Sequence, residues 1–284
     1  MLPTPRLPVP PGACDTHMHL YGPGYPLAPT NGGRPVPAEA DVAAYRAVMA
    51  RLGLSRVVVV QPTSYGTDNR CTLDAVATLG DAARAVVVVT PAATPAGLAR
   101  LHAAGARGAR FHLLGGAPQG WEAVAPVAAL VAPLGWHVQL QFDGNELPAR
   151  EAMIRALPCP VVLDHIARFH PPGAPDSQPV RALLRLLETG RVWLKVSAPY
   201  HSSLAGPPDY RDVTAIARAA IGTASDRVVW ASNWPHPNPP AHPVDEAALL
   251  DLLGHWVPDD ATRRRILVDN PAALYGWPPP AKPG

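Results

Sequence analysis

The stretch VAPVAALVAPLGWHVQLQF, Val124 to Phe142, holds the architectural unit of this chain in one continuous run. Val124, Val127, Leu130, Val131 and Leu134 recur at helical spacing and give a single apolar stripe. Gly135 follows, where a left-handed residue is expected to close a helix, and His137 to Phe142 then reads as a strand. The same order recurs on both sides. Val42, Tyr45, Val48, Met49 and Leu52 precede Gly53 and a strand at Arg56 to Val60. Val180, Leu183, Leu184 and Leu187 precede Gly190 and a strand at Arg191 to Val196. Gly80 and Gly105 stand in the same place before Ala85 to Val89 and Ala109 to Leu113, and Thr94-Pro95 offers a cap with proline at the first helical position.

Ala13 to Leu20, Pro160 to Leu163 and Arg227 to Trp230 bring the strands to eight. Most are nearly continuous in apolar residues, the pattern of parallel strands buried on both faces. Eight strand and helix units closing on themselves predict one α/β domain, a (β/α)8 TIM barrel, over residues 1–284. An open doubly wound sheet fits less well, because no GxGxxG or P-loop follows any of the strands. Residues 1–12, with five prolines, read as an extended arm and 278–284 as a flexible tail. The proline-rich stretches Pro171 to Pro179 and Pro235 to Pro243 read as loops.

Composition narrows the partners. Apolar residues make up 48% and charged residues 16% of the 284, the profile of a globular protein. The 24 basic and 22 acidic residues are scattered and leave a formal charge of +2, which offers no footprint for nucleic acid. No apolar run is long enough to span a bilayer, and the proline-rich start has no apolar core of the kind a secretory signal needs, so a cytoplasmic protein is expected. Cys14, Cys71 and Cys159 form no paired spacing and should be reduced and structural. The oligomeric state is left open.

In barrels of this kind chemistry sits where strands run out into the following loops. The first strand ends Cys14-Asp15-Thr16-His17-Met18-His19, and a two-residue period places Asp15, His17 and His19 on one face. Asp164-His165 closes the sixth strand and Ser232-Asn233-Trp234-Pro235-His236 the eighth. His17, His19, His165, Asn233 and His236 are therefore the candidate catalytic residues, expected to meet near the barrel axis. The loop Gln61 to Asn69 offers Ser64, Tyr65 and Asn69 to a hydroxylated or carboxylated ligand. Arg110 and His112 share a strand face, and a guanidinium in the barrel mouth would match a carboxylate bidentately. Gln139, Gln141 and Asp143 recur at strand period, and the seventh strand ends Lys195-Val196-Ser197 before Tyr200 and His201. Gln141 and Lys195 join the candidate substrate contacts, Lys195 having a structural ion pair as its alternative.

The Asp-Thr-His-Met-His start, Gln61 to Asn69, Gly108-Ala109-Arg110-Phe111, Leu163-Asp164-His165, Ser232 to Pro237 and Asp269 to Gly276 together resemble the amidohydrolase superfamily. The resemblance is to its branch of 2-pyrone-4,6-dicarboxylate lactonases and D-galactarolactone isomerases, and it covers almost the whole chain. Met18 to Tyr21, Pro23 to Pro26, Gln141 to Asn145 and above all Asn233 are more similar to the isomerases. Hydrolases of the family carry an aspartate after the eighth strand, which takes a proton from the attacking water. An amide cannot titrate.

The resemblance implies an enzyme acting on a small carboxylated lactone, most simply isomerising a sugar-diacid (galactaro) lactone between ring sizes by histidine-assisted intramolecular acyl transfer. Hydrolysis of a 2-pyrone-4,6-dicarboxylate type lactone is the alternative, and would lead were residue 233 an aspartate; a non-catalytic ligand-binding barrel is another. The expectation is no metal cofactor, with one Zn2+ held by His17, His19 and His165 as the alternative.

Overall fold

A computed structural model describes residues 2–37, 39–115, 118–240 and 242–278. Eight parallel strands follow one another around a single sheet in chain order: β1 (Cys14–Met18), β2 (Arg56–Val60), β3 (Ala83–Val87), β4 (Ala106–His112), β5 (His137–Gln141), β6 (Val161–Leu163), β7 (Val192–Val196) and β8 (Val228–Trp230). Helices α1 (Val42–Leu52), α2 (Arg70–Leu79), α3 (Pro95–Ala103), α4 (Val124–Val131), α5 (Leu147–Ala156), α6 (Gln178–Leu187), α7 (Arg211–Ala224) and α8 (Glu246–Trp256) alternate with them. This is the (β/α)8 barrel, and strand order excludes the open doubly wound sheet, whose order reverses. Two short helices, α9 (Asp260–Arg264) and α10 (Asn270–Tyr275), complete the described chain. Of the expected tail 278–284, all but Pro278 lies outside the described residues.

Local chemistry explains the unit. Gly53 (φ 70°) and Gly135 (φ 69°) close helical segments in the left-handed region, where any Cβ is strained. Thr94 accepts a hydrogen bond from the Gly97 amide at 3.1 Å, with Pro95 following it. The third and fourth strands begin earlier than their apolar runs suggest, at Ala83 and Ala106, because small residues pair in the ladder without advertising it. Pro179, expected in a loop, instead lies in the first turn of α6, where a missing N–H costs nothing. All three cysteines are free and buried.

The main core lies between sheet and helices, where Val57, Val59 and Val87 meet helix residues such as Leu52, Val127 and Leu183. Inside the barrel, the floor is a separate cluster containing Cys14, Val58, Val60, Val86 and Tyr275. The β8 to β1 seam is stitched largely by side chains. Thr16 Oγ1 donates to Trp230 O at 2.8 Å, and Asp15 accepts from the amides of His17 and Ser232, each at 3.0 Å, and from Tyr45 Oη at 2.8 Å.

That seam corrects one expectation. Asp15 does not share a face with His17: the register of β1 shifts between Asp15 and Met18, so Cys14 faces the barrel floor while Asp15 turns to Tyr45 of α1. A bulge adds one residue and reverses the alternation that a regular strand would keep.

Candidate active site

Three strand ends bring the histidines together. Nε2 of His17 and Nε2 of His19 lie 3.2 Å apart, and the rings of His17 and His165 have centroids 4.8 Å apart. His165 Nδ1 meets Ser197 Oγ at 2.9 Å, and the His201 ring lies 5.3 Å from that of His165. The loop after β6 reaches this position through consecutive residues at positive φ, His165 to Arg168 (46° to 57°). Side chains disfavour that conformation, so packing must hold it in place. Asn233 also has a positive φ (62°), which its short amide tolerates, and its N–H donates to His17 O at 2.9 Å.

Beneath the imidazoles lies a buried polar layer. Lys195 Nζ donates to Thr16 O at 2.9 Å and Gln139 Oε1 at 2.7 Å, and stands 3.6 Å from Asp164 Oδ1. Gln139 Nε2 donates to Asp164 Oδ2 at 2.9 Å, and His17 Nδ1 faces Asp164 Oδ1 at 3.2 Å. Burial favours neutral Asp164, yet Lys195, His165 and Arg110 hold its carboxyl below the usual value. Burial pulls Lys195 down to about 8 despite Asp164.

The same burial empties the imidazoles of charge. His19 is lowered to about 3, by desolvation first and then by Arg110; His201 also falls to about 3, by desolvation and then Arg168. His17 and His165 lie well below the ordinary histidine value, desolvation again leading, with Lys195 and His17 respectively adding to it. At neutral pH these are neutral bases in a field made positive by Arg110 and Lys195.

Above them opens a cleft. Of the expected residues, His19, His165, Asn233, Arg110, Ser64 and Gln141 line it. His17 sits below, in contact with His19. Arg110 donates to Gln61 O at 2.5 Å and to Gln141 Oε1 at 2.8 Å, and its buried Nε has no partner among the described residues. Among the described residues no carboxylate lines the cleft.

Besides His17, four expected residues do not line it. Lys195 lies wholly in the layer beneath, which favours its structural alternative over a substrate contact. Tyr65 Oη accepts from the Gly22 amide at 3.1 Å, and Asn69 ties α2 to the end of β3 by paired bonds with Val88 at 2.8 and 2.9 Å. Their polar atoms are spent on holding loops. His236 stands behind Tyr200, whose Oη is 2.7 Å from its Nδ1.

Other cleft residues were not singled out as site residues. His112 and His201 line it, and their strand period and loop position were the signals that could have added them. Arg34 and Asn238 come from rim loops whose residues follow no period.

The donor chemistry of these residues bears on a metal ion. Ligand atoms of His17, Asp164 and His165 lie within 4.8 Å of one another, and His19 adds a third imidazole. Two imidazoles and a carboxylate at this spacing are donors that zinc accepts, with His19 in contact with His17 as a further imidazole. The neighbouring charges of Lys195 and Arg110 oppose a dication, and Asn233 supplies no negative charge.

Comparison with known proteins agrees with this architecture. The amidohydrolase family model matches residues 14–277. A 2-pyrone-4,6-dicarboxylate hydrolase of Comamonas testosteroni is 38% identical, over 96% of this chain and 93% of its own. A D-galactarolactone isomerase of Agrobacterium fabrum is also 38% identical, over 95% and 93%. A crystal structure of an Agrobacterium tumefaciens protein in its apo form superposes with a TM-score of 0.92 at 37% identity, covering 97% of this chain and 100% of that one. With eight strands in order, histidines at the ends of β1 and β6, and a family match over nearly its full length, the chain belongs to the amidohydrolase family.

Proposed function

We propose that this protein is an enzyme that isomerises a sugar-diacid lactone, of the galactaro type, between ring sizes by intramolecular acyl transfer. The observation that carries the reading is the absence of any carboxylate lining the cleft among the described residues, together with Asn233 after β8. Intramolecular transfer needs no activated water: a hydroxyl of the substrate attacks the ring carbonyl while the ring oxygen departs.

His165 serves as the base and acid. Neutral at working pH and braced through Nδ1 by Ser197, it takes the proton of the attacking hydroxyl and returns it to the departing oxygen. Such help is worth about 10² to 10⁴-fold, and fixing the hydroxyl against the carbonyl adds to it. Arg110, which lines the cleft, holds the substrate carboxylate, and Ser64 and Gln141 orient hydroxyls. A zinc ion would instead be held by His17, His19 and His165 and would supply polarisation of the lactone carbonyl; because it would occupy the free nitrogen of His165, the proton transfers described here are those of the metal-free side chains. Similarity to both the isomerase and the pyrone dicarboxylate hydrolase supports a lactone substrate. Among the described residues no helix is long and apolar enough to cross a membrane.

Proton NMR of galactarolactone with the protein tests the reading. Ring interconversion that His165→Ala slows by about 10³-fold supports it; release of acid at the same rate as lactone loss points to hydrolysis, and no conversion above the uncatalysed rate removes both.

A further inference from the structure

Behind Asn233 runs a hydrogen-bonded chain to the start of α8. Asn233 Nδ2 donates to Tyr200 Oη at 2.9 Å, Tyr200 Oη lies 2.7 Å from His236 Nδ1, and His236 Nε2 lies 3.1 Å from Glu246 Oε1. Arg51 pairs with the other Glu246 oxygen. Although burial favours the neutral acid, His236 and Arg51 help to hold the Glu246 carboxyl below its ordinary value.

We infer that Glu246 and His236 are positioning residues that act through Tyr200 to hold the Asn233 amide with its oxygen presented to the cleft. The argument is one of proton direction. A carboxylate only accepts, so His236 carries a proton on Nε2, and in the neutral ring Nδ1 is then the bare nitrogen. Tyr200 then donates to Nδ1, and its oxygen is left to accept. Only the NH2 end of Asn233 can fill that acceptor, and the second N–H faces His201 Nε2 at 3.3 Å. Asn233 Oδ1 bonds to no protein donor among the described residues and is the atom left for a ligand.

An aspartate at 233 would set acceptor against acceptor at Tyr200, so this chain matches the amide and not the acid. The functional consequence rests on the proposed isomerisation: Oδ1 accepts from a substrate hydroxyl beside the attacking one and so fixes the sugar chain against the carbonyl, while the attacking hydroxyl gives its one proton to His165.

The test pairs spectroscopy with kinetics. In ¹⁵N-histidine-labelled protein, the long-range ¹H–¹⁵N pattern of His236, assigned by its loss in His236→Gln, is expected to show the neutral Nε2–H form. Glu246→Gln is expected to shift that pattern, and Tyr200→Phe to move the Nδ1 resonance alone. On the lactone, each variant should lower kcat by about tenfold with KM within about twofold, as the loss of one oriented bond implies, and the double variant should be no worse than either single one. A Nδ1–H or doubly protonated His236 in the unmodified protein, or fully multiplicative losses in the double variant, would overturn the inference. The NMR arm needs no substrate, so it decides even where the lactone reading fails, and Tyr200→Phe leaves the Arg51 ion pair intact should Glu246→Gln not fold.

Discussion

His17 Nε2 and His19 Nε2 face each other at 3.2 Å, and His19 Nδ1 is held 2.8 Å from Val60 O. A carbonyl only accepts, so His19 carries its proton on Nδ1 and offers a bare Nε2. His17 Nδ1 stands between Lys195 Nζ at 3.3 Å and Asp164 Oδ1 at 3.2 Å: accepting from Lys195, it leaves Nε2 to donate to His19; donating to Asp164, it leaves two bare Nε2 atoms that would share a cation. The positive field of Lys195 and Arg110 favours the first arrangement.

The expected outcome follows for metal content. Protein prepared without added metal should contain well under one equivalent per chain, and chelator should change the rate by less than about twofold. One tightly held equivalent, with activity lost to chelator and restored by zinc, would put the ion in the place of the His17 proton. Elemental analysis alongside the assay checks it.

Arg110 lines the cleft while dividing two nitrogens between Gln61 and Gln141, a geometry that a lysine ammonium cannot copy. Arg110→Lys should raise KM by about 10 to 100-fold, the worth of one or two charge-assisted bonds, with a smaller change in kcat. An unchanged KM would move the carboxylate to another cation, of which Arg34 at the rim is the nearest in kind.

Asp15 binds β1 to β8 and to α1 through at least three donors. Asp15→Asn turns an acceptor into a donor against that set and should destabilise the fold by about 3 kcal/mol. Urea unfolding measures it, and a loss below about 1 kcal/mol would mean that the seam closes without this residue.

Much of this was legible in the sequence. Continuous valine runs announced buried parallel strands, and Gly53 and Gly135 marked helix ends because their backbone angles admit little else. The gathering of His19, His165, Arg110 and Asn233 followed from their places at strand ends. Asp15 was misplaced because a bulge leaves no trace in side-chain pattern. Asn69 and Tyr65 were read as ligand contacts because a loop's polar atoms look alike until their backbone partners are known. The part played by Glu246 depends on where α8 starts against the β8 loop, a tertiary fact that no local period records.

His137 provides a pH test away from the cleft. Among the described residues both its ring nitrogens lack partners, and burial first, then Lys195, lower it to about 3 from an ordinary 6.5. A folded value below the unfolded one means that the unfolded chain binds the proton first. Stability is therefore intact above about 6.5 and is lost as pH falls toward about 3. His137→Leu should flatten the dependence of unfolding free energy between pH 6 and pH 4 by about 1.4 kcal/mol per pH unit. A slope identical to that of the unmodified protein would show that His137 titrates alike in both states.

The central claim is that a hydroxyl of the substrate, and not water, attacks the lactone carbonyl. Turnover of galactarolactone in H₂¹⁸O, followed by mass spectrometry, measures it directly. Intramolecular transfer predicts interconverted lactones carrying no ¹⁸O; free diacid bearing one ¹⁸O in a carboxyl group, formed at the rate of lactone loss, would contradict it.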